Sequence, residues 1–193
     1  MHSALLRNDL KFWVVVSSSH TLFRLCLARL DCPQNWVLHG KSCYYVIGTP
    51  TTKWSDARTK CQNRAGDLAI IRSEDENKFV LNLLKNQKTV QIEGAWLGLK
   101  RNTSAGNKFY WIDGTPLAGQ YSAWASGQPS NPYEQCVQIY AASYKPGVWN
   151  DKECVFHISR ESTAPVVLCQ QRLMPWRGDQ LVKRPRKNLF FRL

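Results

Sequence analysis

Apolar positions recur along the chain with two periods, and the change between them marks its organisation. Val37, Cys43, Tyr45 and Ile47 include alternating positions around Gly40-Lys41, which predicts a hairpin within 32–47. From Trp54 the spacing lengthens. Ala57 and Cys61 lie four apart on one face of a helix expected over 54–64, capped by Thr51 or Thr52 and ended by Gly66. Leu68-Ala69-Ile70-Ile71 reads as a short buried strand. Ser73-Glu74-Asp75-Glu76 is a capping box, so a second helix starts there, with Phe79, Val80, Leu83 and Leu84 facing the core. Beyond Ala95 the pattern turns to strands, over 96–99 with Gly98 allowing close packing, and over 109–112 up to Asp113-Gly114. The polar stretch 100–108 between them reads as a turn. Strands over 136–140, 148–150 and 165–169 would complete an antiparallel sheet. Two helices followed by strands predict an α+β domain, with no internal repeat.

The interval 115–135 breaks this pattern. It holds Pro116, Gly119, Gly127, Pro129 and Pro132 and little periodicity. A stretch that long without regular structure inside a compact domain is usually functional.

Composition narrows the class. Seven Cys with few CxxC spacings favour disulfides over zinc, and disulfides favour an oxidising compartment. The net charge of +12 is uneven: residues 171–193 carry seven Lys or Arg against one Asp. The basic balance is therefore largely a property of the tail and says little about the domain's ligand. No stretch reaches the roughly 20 apolar residues of a membrane-spanning helix. Residues 1–31 are expected to be a leader or degenerate signal, with a disordered leader as the competing view, and Cys26 is the odd cysteine. Residues 171–193 are expected to be a basic, disordered tail.

Candidate chemistry gathers in two pieces. Gln128-Pro129-Ser130-Asn131-Pro132-Tyr133-Glu134-Gln135-Cys136 and Trp149-Asn150-Asp151, followed by Cys154, each place oxygen-bearing side chains beside a cysteine. Hard cations such as calcium take several oxygen ligands from carboxylates, amides and carbonyls. Gln128, Ser130, Glu134, Asn150 and Asp151 are such a set if the fold joins the pieces. No HExxH, GxSxG or P-loop occurs, and no nucleophile stands beside a base, so an enzyme is not expected.

These pieces resemble the calcium site of C-type lectins. Cys32-Pro33 with Trp36, Cys43-Tyr44-Tyr45, Trp54 through Cys61, Trp96-Leu97-Gly98-Leu99 and Cys169 stand in the order that family shows, over residues 32–170. The resemblance implies a disulfide-stabilised C-type lectin-like fold with a long calcium-binding loop and pairing Cys32–Cys43, Cys61–Cys169 and Cys136–Cys154. It implies one Ca2+ held by Gln128, Ser130, Glu134, Asn150 and Asp151, with a cis bond before Pro129. Gln128, Ser130, Glu134, Asn150 and Asp151 would contact two vicinal sugar hydroxyls, and Tyr133 or Trp124 would stack on a ring, core packing being the simpler role for Trp124. Gln before the Pro leans towards galactose-type glycans. Ser130 departs from the family's Asn or Asp, and the gap before Cys169 is longer, with Ser159 to Thr163 inserted. The family's auxiliary calcium site would fall near Lys100 to Lys108, which holds no acid.

The resemblance therefore implies a secreted, glycan- or glycoprotein-binding module, with no nucleic-acid partner. The competing expectation is a calcium-independent, protein-binding domain of the same fold. Asn102-Thr103-Ser104 is a glycosylation sequon. Arg177-Gly178-Asp179 and Lys183-Arg184-Pro185-Arg186-Lys187 read most simply as solvated tail.

Overall fold

A computed structural model describes residues 32–87, 94–142, 146–157 and 164–173. The leader with Cys26, the Ser159 to Thr163 insertion, the Arg177-Gly178-Asp179 tripeptide and the basic run near the C-terminus lie outside them.

The hairpin forms from β1 (Val37–His39) and β2 (Ser42–Ile47). Its alternation does not separate core from solvent. Tyr44 enters the main core, while Tyr45 and Ile47 cover a second cluster on the opposite face.

Helix α1 (Trp54–Gln62) follows, but neither Thr51 nor Thr52 caps it: Lys53 occupies the cap position, without a side-chain bond. Thr51 is instead buried, and its carbonyl accepts from Trp96 Nε1 at 2.7 Å. The helix stops two residues short of the expected Arg64, and Ala65, not Gly66, takes the left-handed backbone, at φ 58°. Gly66 is needed for another reason: a Cβ there would meet the Gln170 carbonyl and the Trp36 ring at 2.8 Å.

Strand β3 is only Asp67–Leu68, and the chain continues buried through Ile71. The cap of α2 (Glu74–Lys85) forms as expected, Ser73 Oγ accepting from Glu76 N at 3.1 Å. The Glu76 carboxylate, however, reaches Arg72 N at 2.6 Å, not Ser73 N. Val80 and Leu84 are buried, and Phe79 and Leu83 pack against them.

Strand β4 (Gly94–Asn102) runs three residues into the stretch read as a turn, leaving a short 3-10 turn at Thr103–Ala105 before β5 (Lys108–Trp111). Pairing explains the extension: Lys100, Arg101 and Asn102 face Tyr110, Phe109 and Lys108 across the ladder. Gly98 is required for close approach, because a Cβ would meet Ile112 Cδ1 at 2.8 Å and the Leu68 carbonyl at 2.9 Å.

Strands β6 (Cys136–Tyr140), β7 (Trp149–Lys152) and β8 (Val166–Arg172) complete the sheet, in the order β1-β2-β8-β4-β6-β7, with β3 on β8 and β5 on β4. The sheet is mixed rather than wholly antiparallel, since β4 and β8 pair in parallel at Ala95↔Val166 and Trp96↔Val167. β8 also continues to Arg172, so the sheet claims two residues of the stretch expected to be tail.

Apolar burial is divided between two clusters. One packs Ile71, Val80, Leu97, Leu99, Trp111, Ile139, Trp149 and Leu168. The other packs Trp54, Ala57, Leu68, Trp96, Phe156 and Val167 around Cys61–Cys169. That bridge spans 108 residues, a closure worth roughly 4–5 kcal/mol in the chain-entropy account. Cys32–Cys43 staples the hairpin and Cys136–Cys154 the base of the long loop.

Candidate functional site

The long loop is anchored by β7. Trp149 N donates to the Ala123 carbonyl at 2.7 Å, and Ala125 N donates to the Trp149 carbonyl at 2.9 Å. The Trp149 ring is fully buried, edge-on to Trp111, Tyr121 and Trp124. Its Nε1 donates to Asn77 Oδ1 at 2.8 Å, while Asn77 Nδ2 donates to the Gly147 carbonyl at 2.7 Å. A buried indole N–H needs such a partner, so α2 fixes the strand that carries Asn150 and Asp151. Trp124 packs on Phe109 and Trp149, which makes it a wall of the core.

The two candidate pieces meet. The peptide between Gln128 and Pro129 is cis. Ser130 N donates to Asp151 Oδ1 at 3.2 Å, and Asn150 Nδ2 donates to the Asp151 carbonyl at 2.7 Å. Glu134 faces Asp151 closely enough for the carboxylates to repel. Burial first, and the Asp151 charge second, hold the Glu134 carboxyl above its ordinary range. Asp151 is fully buried, whereas Ser130 lies exposed on the loop and Tyr133 is 80% exposed beside it. Gln128 sits on the same loop, and its Oε1 is buried without a hydrogen-bond partner.

One participant was not legible in the sequence. Arg101, from the stretch read as a turn, donates to Asp151 Oδ2 at 3.2 Å, to the Asn131 and Glu134 carbonyls at 3.3 Å each, and to the Asn107 carbonyl at 3.2 Å. Its guanidinium lies 4.4 Å from the Phe109 ring centroid. A basic residue where the related pattern would place acids was the available signal. Its partner stands 50 residues away, so local pattern could not supply it.

The donor set suits a hard cation. Its members offer two carboxylates, two amide oxygens and a hydroxyl, with no sulfur or imidazole. Among the described residues there is no cluster of three or more His, Cys, Asp or Glu. Gln128 Oε1 lacks a donor, and burial and the Asp151 charge raise the Glu134 carboxyl; a cation between the pieces would satisfy the first and offset the second.

Residues 50–158 match the Lectin C-type domain family. The human low affinity immunoglobulin epsilon Fc receptor is 34% identical over 125 residues, which is 64% of this chain and 35% of that one. The chain spans 30% to 57% of the length of the curated relatives it matches. Among solved structures, the cow carbohydrate-recognition domain of CD23, determined in the presence of a GlcNAc2Man3 oligosaccharide, superposes with TM-score 0.59 at 29% identity, covering 75% of this chain and 98% of that one. A calcium-independent type II antifreeze protein superposes with TM-score 0.58 at 27% identity, covering 75% and 97%. The family is one of binding domains, not enzymes. With its two helices, mixed sheet and three bridges, the chain belongs to the C-type lectin domain family.

Proposed function

We propose that the domain binds carbohydrate through one calcium ion held by Gln128, Ser130, Glu134, Asn150 and Asp151. The observation that carries this reading is that Ser130 N bonds Asp151 and the Asp151 charge acts on Glu134, on a loop whose Gln128 Oε1 is buried and unpartnered. Bound calcium supplies charge neutralisation and free coordination positions for two adjacent sugar hydroxyls. Glu134 accepts from one hydroxyl, and the amides of Gln128 and Asn150 donate to or accept from the pair. Tyr133, the most exposed large side chain of the loop, offers its ring to an apolar sugar face. Gln128 favours galactose-type glycans, and Ser130, whose hydroxyl is shorter than an Asn or Asp side chain, weakens the hold on the ion. The structure of the cow relative with an oligosaccharide supports a carbohydrate partner.

The setting proposed is outside the cell, since three disulfides need an oxidising compartment. Among the described residues no helix is long and apolar enough to cross a membrane. Asn102 of the sequon is exposed and open to glycosylation there.

A second reading has its own observation. Arg101 already neutralises Asp151, and the antifreeze relative is calcium-independent by description. A metal-free domain that binds protein through the same loop would follow. Calorimetric titration with calcium, followed by a glycan array with and without chelator, separates the two. The calcium reading expects heat, a higher melting temperature and chelator-sensitive retention of galactose-terminated glycans. No heat and no shift would leave the metal-free reading.

A further inference from the structure

We infer that Arg101 is a built-in cation that fixes the 130–134 segment onto β7 without any metal. It goes beyond the calcium reading and stands whether or not calcium binds. The guanidinium joins three elements at once. Arg101 belongs to β4, and its backbone N donates to the Gln135 carbonyl at 2.7 Å, just past the loop. Its side chain meets the Asn131 and Glu134 carbonyls and Asp151 Oδ2 on β7. Asp151 in turn accepts from Ser130 N through Oδ1. The loop is thus tied at Ser130, Asn131 and Glu134 to one ion pair whose side chains are 11% and 0% exposed.

A planar fork with five donors can serve two carbonyls and a carboxylate together; an ammonium on a flexible stem cannot hold that geometry. Phe109 supports the guanidinium at 4.4 Å and keeps it from swinging into water. Asp151 has no other positive partner among the described ion pairs, so its burial depends on Arg101 when metal is absent. The simpler account is an arginine that merely covers apolar surface with its stem. That account predicts no link between residue 101 and loop order.

The test is amide hydrogen exchange in a calcium chelator without sugar, on the full chain. The probes are Ser130 N, which donates to Asp151 Oδ1, and Glu134 N, which donates to the Asn131 carbonyl. Val80 and Leu84 in α2 report the core. In Arg101→Met we expect exchange at residues 130 and 134 to rise about tenfold or more while α2 stays protected. Arg101→Lys, which keeps charge but not the fork, should fall between the two. Unchanged protection at 130 and 134 in the Met variant overturns the inference. If the Met variant loses protection throughout, the Lys variant decides, and wild-type exchange at 130 and 134 in that protein overturns it. Failure of calcium or sugar to bind leaves this result untouched, because neither is present.

Discussion

Two arginine–aspartate pairs share the same chemistry while their surroundings differ. Arg58, on α1, pairs with Asp67 on β3 through Nε and Nη2, at 3.0–3.2 Å, with both side chains about one third exposed. Arg101 pairs with Asp151 at 3.2 Å, with side chains 11% and 0% exposed. The first has the better fork geometry, yet water screens it, and exposed pairs are worth about 0–1 kcal/mol. The second has a single contact to its carboxylate, but removing one partner strands a buried charge, at about 3–5 kcal/mol. Bond geometry therefore ranks the two in one order and burial in the other, and burial decides.

Mutation of both pairs sharpens this contrast. In chelator, Arg101→Met should lower stability by about 3–5 kcal/mol in urea denaturation. A loss below 1 kcal/mol would show that Asp151 finds water or another partner. Calcium should add about 2.7 kcal/mol to the wild type at 100 times its dissociation constant if it binds only the folded form. It should add more to the Met variant, whose Asp151 lacks its internal cation. Equal increments would mean that ion and guanidinium act independently. Asn77→Ala should cost about 1–3 kcal/mol by leaving the Trp149 indole N–H buried without an acceptor. Arg58→Met should cost no more than about 1 kcal/mol, read from the same denaturation midpoints.

Glu134 gives the smallest expected effect, with a definite sign. Its folded carboxyl titrates above the ordinary 4.5, so from that value up to the raised one the folded protein holds the proton more firmly than the unfolded chain. Without metal, stability falls as pH rises through that window, and the penalty is complete above the raised value. Glu134→Gln should raise the metal-free melting temperature slightly at pH 7 and flatten the slope just above pH 4.5. A lower melting temperature would show that Glu134 already has a cationic partner.

Legibility in the sequence followed the range of the interaction. The Ser73 cap and the core side of α2 needed only neighbours three or four residues away, and both were readable. The cap expected at Thr51 or Thr52 failed because a tertiary contact, from Trp96, claims Thr51's carbonyl and holds that residue inside. The end of β4 was missed because Lys100 to Asn102 look like turn residues until β5 pairs with them. At the candidate site the oxygen donors were visible as residue types beside cysteines. Arg101 was not, since nothing local distinguishes an arginine that will meet a buried carboxylate from one that will face water. Asn77 was hidden for the same reason: a polar residue on a helix announces a bond to Trp149 only once both are placed.

The pairing of β2 with β8 has a consequence for how the domain is mounted. Ser42 faces Arg172, and Leu173 N donates to the Lys41 carbonyl, so polypeptide enters and departs side by side. Strand β7, which carries Asn150 and Asp151 of the proposed site, closes the far edge of the sheet. A stalk, neighbouring module or surface attached at either doorway would leave that far rim unobstructed, so the unit can be threaded into larger architectures without re-engineering the proposed site.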